Sequence, residues 1–185
     1  MGNLKGAGWK ATCEYLIKVG GSDALDRVKA ALTPEDRAIF SKPILPITWL
    51  DYSAFMRFML LADKVLGKGD MQIVKDASVY SAQQDLRGIY KIFISFTSPE
   101  FIIKNVGVMW RQYYDSGSIT VEGKQEKSGA LKLVNFPDIP LHHDADQLPY
   151  MEECLRLSGA KNVRGSHPKC IARGDDCCIF RFSWA

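Results

Sequence analysis

Three of the chain's five cysteines fall in its closing stretch, CIARGDDCCIFRFSWA, residues 170–185. Cys170 and Cys178 flank a turn made of Arg173, Gly174, Asp175 and Asp176. Glycine at the tip suits a hairpin loop that needs a positive φ. With the turn centred on Gly174, Cys170 lies opposite Cys178. Strand alternation then puts Cys178, Phe180, Phe182 and Trp184 on one face, and Cys177, Ile179, Arg181 and Ser183 on the other. The first set is the expected core face, and its two thiols form a cross-strand pair. Three chemistries remain open for that pair. The thiols can pack as small buried hydrophobes. They can bind zinc, which prefers four Cys and His ligands; Cys154, His167, Cys170 and Cys178 would supply them. They can form a disulfide or a redox switch, although five cysteines is an odd number for a closed framework. A catalytic thiolate needs a base and an electropositive, exposed setting. No histidine stands in such a context, so no catalytic residue is expected and the chain is not read as an enzyme. His142 and His143, in PLHHDAD, are read as solvated loop residues rather than as metal ligands with Asp144 and Asp146.

The elements that would position these groups are legible from caps and periodicity. ATCEYLIKVGG is a helix stopped by Gly20 and Gly21. In SDALDRVKAAL, Ser22 is the expected N-cap, with Asp23 and Asp26 in the first turn. TPEDRAIF repeats the pattern with Thr33 and Pro34. Pro43 and Pro46 keep KPILPITW extended. LDYSAFMRFMLLADKVLG carries a wide apolar stripe at helical spacing, ended by Gly67. DMQIVKDASVYSAQQ is a further helix, and DLRGIYKIFISF suits either a buried helix or a strand. SPEFIIKNVGVMWRQYYD opens with Ser98, Pro99 and Glu100, a strong helix start. After Gly117 the period changes: SITVEGKQEK and SGALKLVNF alternate as two antiparallel strands. DQLPYMEECLRLSG is a helix, and KNVRGSHPKCIAR with DDCCIFRFSW forms the last pair of strands. Helices first and strands later predict an α+β fold, a four-stranded antiparallel sheet with helices packed on one face and an all-helical N-terminal part. One domain is expected over residues 1–185, with 1–20 as an N-terminal helical extension.

Composition narrows the partners. The chain has 185 residues, 46% apolar and 24% charged, with a formal net charge of +3. A core of this size needs no staples. No basic stripe is present, which argues against nucleic acid. No apolar run reaches the ~18 residues of a membrane span. The start, MGNLKGAGWK, lacks the apolar core of a signal peptide and the Ser or Thr of a myristoylation site. A cytoplasmic location with reduced thiols is expected. GKGD at 67–70 lacks the spacing of a phosphate loop, so no nucleotide is expected.

The tail CIARGDDCCIFRF resembles the end of the 4-vinyl reductase domain, with Cys170, Gly174, Asp175, Cys178 and Phe180 in the matching places. The middle of the chain, DLRGIYKIFISFTSPEFIIKNVGVMWRQYYDSGSITV, is similar to a group of proteins found in myxobacteria and other deltaproteobacteria. The wider superfamily includes vesicle-tethering (TRAPP) subunits with an acyl-chain tunnel and bacterial sensors of phenolic molecules, and its members commonly dimerise through their helices. In the aromatic sensors a zinc is held by hairpin cysteines and an acidic residue three before the first; His167 occupies that position here. Related domains are also linked to haem-based nitric-oxide sensing. No haem-ligand pattern is found in this sequence, so no haem is expected.

The resemblance implies a non-enzymatic sensory module that binds a hydrophobic or aromatic small molecule between helices and sheet. It would signal through a homodimer or an unidentified partner protein. Phe55, Met59, Phe93, Trp110 and Tyr114 are the expected pocket lining; Trp110 and Tyr114 share a helix face. The alternative is a structural or adaptor protein that dimerises through a filled core.

Overall fold

Thr33, Asp51 and Ser98 each start a helix by the same device: a short polar side chain accepts the backbone N–H three residues on. Thr33 Oγ1 takes Asp36 N at 3.2 Å, Asp51 Oδ1 takes Ala54 N at 2.6 Å and Ser98 Oγ takes Phe101 N at 3.3 Å. The computed structural model, which describes residues 2–87, 98–136 and 143–185, builds seven α-helices among those residues. They are α1 (Gly6–Gly20), α2 (Ala24–Ala31), α3 (Pro34–Ala38), α4 (Tyr52–Leu66), α5 (Gln72–Arg87), α6 (Pro99–Tyr113) and α7 (Gln147–Leu157). The N-cap of α2 is Asp23, not the expected Ser22, and its side chain makes no capping bond.

Two short strands frame the start of the chain. β1 (Asn3–Lys5) pairs antiparallel with β2 (Trp49–Asp51). Asn3 is also held by Asp115, through its backbone N–H at 2.7 Å and its side-chain amide at 2.6 Å. Residues 2–20 therefore contribute to the core: Leu4, Trp9 and Leu16 are buried in it. Three-residue strands carry too few alternations to be seen in the sequence, and β1 was not foreseen.

The main sheet joins β3 (Ser118–Gln125), β4 (Ser128–Val134), β5 (Arg164–Lys169) and β6 (Cys178–Ser183) in the order β3-β4-β6-β5, all antiparallel. The expected α+β architecture is thus present. Leu131 faces Phe180 and Leu133 faces Cys178 across the β4–β6 ladder. Cys178, Phe180, Phe182 and Trp184 are all buried, as the alternation requires. Gly174 closes the last turn with φ +92°, a left-handed conformation that glycine enters without strain. Helix α6 packs on β3 and β4, and α7 on β5. Helix α5 packs against α1, α4 and α7. One continuous apolar cluster runs from Trp9 through Phe55 and Phe58 to the sheet residues Leu131 and Phe180. The segment DLRGIYKIFISF, from residue 88 onward, lies outside the described residues, and so does Phe93. Among the described residues no helix is long and apolar enough to cross a membrane.

Candidate functional site

Two groups of side chains stand out, one between the layers and one on the hairpin. The hairpin group forms because β6 presents Cys178 inward while Cys170 ends the extended run after β5. Their sulfurs are 3.9 Å apart. His167 projects from β5 and stacks on Phe180 at 4.2 Å between ring centroids. His143 comes from the loop before α7 and is 1% exposed, with Nδ1 3.7 Å from Cys178 Sγ. One donor atom from each of His143, His167, Cys170 and Cys178 lies within 4.8 Å of all the others. Bonds of about 2.0–2.3 Å to a tetrahedral ion would set such atoms roughly 3.3–3.8 Å apart. The sulfur pair is already close to that spacing.

The surroundings orient these groups. His167 Nδ1 is 2.8 Å from Asp144 Oδ1, and Asp144 also receives Arg173 at 3.3 Å. A carboxylate on one ring nitrogen selects the tautomer whose other nitrogen carries a lone pair. His167 Nε2 is that nitrogen; it is buried and has no hydrogen-bond partner among the described residues. Burial pulls the His167 imidazole below its ordinary pKa, with Asp144 opposing, and pushes the Cys178 thiol up to about 12.

The structure therefore brings together three of the four residues expected as metal ligands. Cys154 stands outside the group: it sits on α7, and its side chain lines the other cavity. Its place is taken by His143, expected as a solvated loop residue. The correction has a simple cause: whether a loop histidine is buried depends on where the loop lies, and here residues 143–146 fold inward, with His143, Ala145 and Asp146 all buried.

The second group lines a cavity of ≈ 100 Å³ between α1, α4, α5, α6, α7 and the sheet. Phe55, Met59, Trp110 and Tyr114 are among the residues that line it. Trp110 and Tyr114 stack at 4.1 Å, and the Trp110 indole N–H donates to Ser116 O at 2.9 Å. Two acids missed by sequence reasoning complete the lining, Asp85 on α5 and Asp146 just before α7. Asp146 is buried and accepts from Ser78 Oγ at 2.7 Å, Gln147 Nε2 at 3.0 Å and Tyr52 Oη at 3.3 Å. Gln147 also donates to Tyr114 Oη at 2.6 Å. Asp85 accepts the Tyr150 hydroxyl at 2.8 Å. Burial raises the Asp146 carboxyl above its ordinary value and pushes that of Asp85 up to about 6, against the hydrogen bonds they receive.

Asp85 makes a pH-dependent contribution with a definite sign. Its folded pKa exceeds the unfolded value of about 3.9, so the folded state holds the extra proton between about pH 4 and 6. Stability from this group is full below pH 4, falls as pH rises to about 6, and stays lower above. Asp85→Asn should match the parent near pH 4 and be more stable near pH 7.5 by up to roughly 3 kcal/mol. Denaturant titrations at both pH values check this; parallel pH profiles would contradict it.

No protein-family model and no curated protein matches the sequence. Solved structures do share the fold over its whole length. An H-NOX protein from S. oneidensis in the Fe(II)NO state superposes with TM-score 0.75 at 11% identity, over 98% of this chain and 99% of that one. Unliganded Fe(II) H-NOX from K. algicida gives 0.71 at 10% identity, over 98% and 97%. An oxygen-binding H-NOX domain related to soluble guanylate cyclases gives 0.67 at 12% identity, over 98% and 95%. At this identity the likeness is one of fold.

These neighbours correct two expectations. The resemblance to 4-vinyl reductase and TRAPP-like domains gives way to the H-NOX fold. The hairpin pattern behind it, two cysteines around a Gly-Asp turn and an aromatic strand, describes a buried antiparallel ribbon more than it describes one family. The cofactor expectation, zinc without haem, also gives way, since the neighbours are haem iron proteins. Haem can be tested against this cavity. Its described lining holds no histidine and no cationic side chain; its candidate iron donors are Cys154, thioethers such as Met59 and phenols such as Tyr113. These residues do not fit a histidine-ligated haem.

Proposed function

We propose that this chain is a non-enzymatic sensory domain that takes a small, largely apolar molecule into the chamber between α4–α7 and the sheet. The chamber carries the reading. It is walled by aromatic and aliphatic side chains, with a few placed polar groups, the usual make-up of a ligand site. Its walls come from five helices and the sheet, so an occupant touches both layers at once. Filling it favours one spacing of the layers over another, and a partner chain, a second copy or another protein, reads the difference. The shared fold with H-NOX proteins supports a sensory role.

Thermal melting with small aromatic probes and with haemin tests this. A ligand of the native state at about a hundred times its Kd adds about 2.7 kcal/mol, or roughly 5–10 °C for a chain this long. Ile103→Trp, which fills the chamber from α6, should abolish the shift. No shift with any probe, together with an unaltered melt for the filled variant, would leave a packed adaptor core in place of a sensor.

A separate observation favours a second element. The four donor atoms of His143, His167, Cys170 and Cys178, with Asp144 behind His167, support a bound transition-metal ion that ties the loop before α7 to the β5–β6 hairpin. When bound, the ion would supply cross-linking of these segments rather than chemistry on a substrate.

A further inference from the structure

We infer that the molecule this chamber takes is a small organic cation, a protonated amine carried on an aromatic body. The inference rests on the chamber reading above and names its ligand class. Three observations carry it. First, the charged side chains in the described lining are Asp85 and Asp146, and neither lysine, arginine nor histidine accompanies them. Their hydrogen-bond partners among the described residues are neutral: hydroxyls of Ser78, Tyr52, Tyr113 and Tyr150 and the amide of Gln147. Neutral donors orient a carboxylate without cancelling its charge, so two acids in one apolar cavity leave it with a negative potential. A buried charge without a counter-ion is costly, and an arriving cation removes that cost.

Second, Thr12 lines the same cavity, is 1% exposed, and its Oγ1 has no hydrogen-bond partner among the described residues. A buried hydroxyl is ordinarily satisfied. An ammonium group donates to three acceptors, and this oxygen is an open one in the same lining. Third, six aromatic rings share the lining: Phe55, Trp110, Tyr113, Tyr114, Tyr150 and Phe182. Ring faces attract cations and pack against an arene. An anion would meet only repulsion here, and a neutral molecule would gain the rings without the acids.

The test is calorimetry and melting on the full chain at pH 7.5 with three matched probes: 2-phenylethylamine, 2-phenylethanol and 3-phenylpropionate. The amine should bind at least tenfold more tightly than the alcohol, and the carboxylate most weakly. Asp85→Asn should cut amine affinity at least tenfold and leave the alcohol within about twofold; Asp146→Asn should do the same where it folds. Thr12→Val should weaken the amine several-fold. If amine and alcohol bind equally, the cation inference is overturned while the chamber reading survives. If no probe binds at any charge, both fall together.

Discussion

If the His143–His167–Cys170–Cys178 group holds a metal as proposed, Cys178→Ala should empty it. Protein purified without chelator is expected to carry close to one equivalent of a transition metal per chain, and the variant less than about a tenth of that, by elemental analysis. Removing one of four ligands leaves three, and a site whose binding is coupled to folding loses affinity steeply. His143→Ala should have the same effect, although the sequence reading places that residue in a solvated loop. Asp144→Asn should be milder, weakening retention by about 10–100-fold, because Asp144 orients His167 and does not itself join the four donors. A chelator should lower the melting temperature of the parent and leave Cys178→Ala unmoved. Parent protein that comes metal-free, keeps its thiols titratable and melts identically with chelator would reduce the four side chains to packing.

The second large effect lies near the other end of the sequence. Trp9→Ala should cost about 3–5 kcal/mol of stability, the range for emptying a buried tryptophan site. Trp9 is fully buried, with its ring centroid 5.1 Å from Phe55, 5.6 Å from Phe58 and 5.8 Å from Phe40. Because Phe55 also lines the chamber, the variant should lose ligand-induced stabilisation as well as baseline stability. Trp9→Phe should recover most of the loss, since it keeps a ring and removes an indole N–H that lacks an acceptor among the described residues. A cost under about 1 kcal/mol for the alanine variant would mean that α1 is outside the cooperative core.

The two effects bear on one mechanical picture. Trp9 supports the helical wall of the chamber from behind, and a metal in the hairpin cluster would pin the loop from which Asp146 enters it. His143 and Asp146 belong to the same short loop, three residues apart, one facing the thiols and the other the cavity. A metal-free variant should therefore also bind chamber ligands more weakly.

Local rules carried much of this fold. A helix that begins with Thr33-Pro34 or Ser98-Pro99 is specified by bonds within its first turn, so its start is readable before any tertiary contact exists. The inward face of β6 follows likewise from a two-residue period, and helical spacing puts Trp110 and Tyr114 on one face. That is why an α+β architecture and a buried Cys170–Cys178 pair were legible in the chain. Other features depend on how separate elements meet. His143 became a member of the thiol cluster, and Cys154 was excluded, through the path of the loop before α7. Asp146 is buried and Asp85 half-buried by neighbours from several helices, and nothing in their local sequence separates them from solvated acids. Burial of a polar group is a property of the space around it, and that space exists only once the layers have packed.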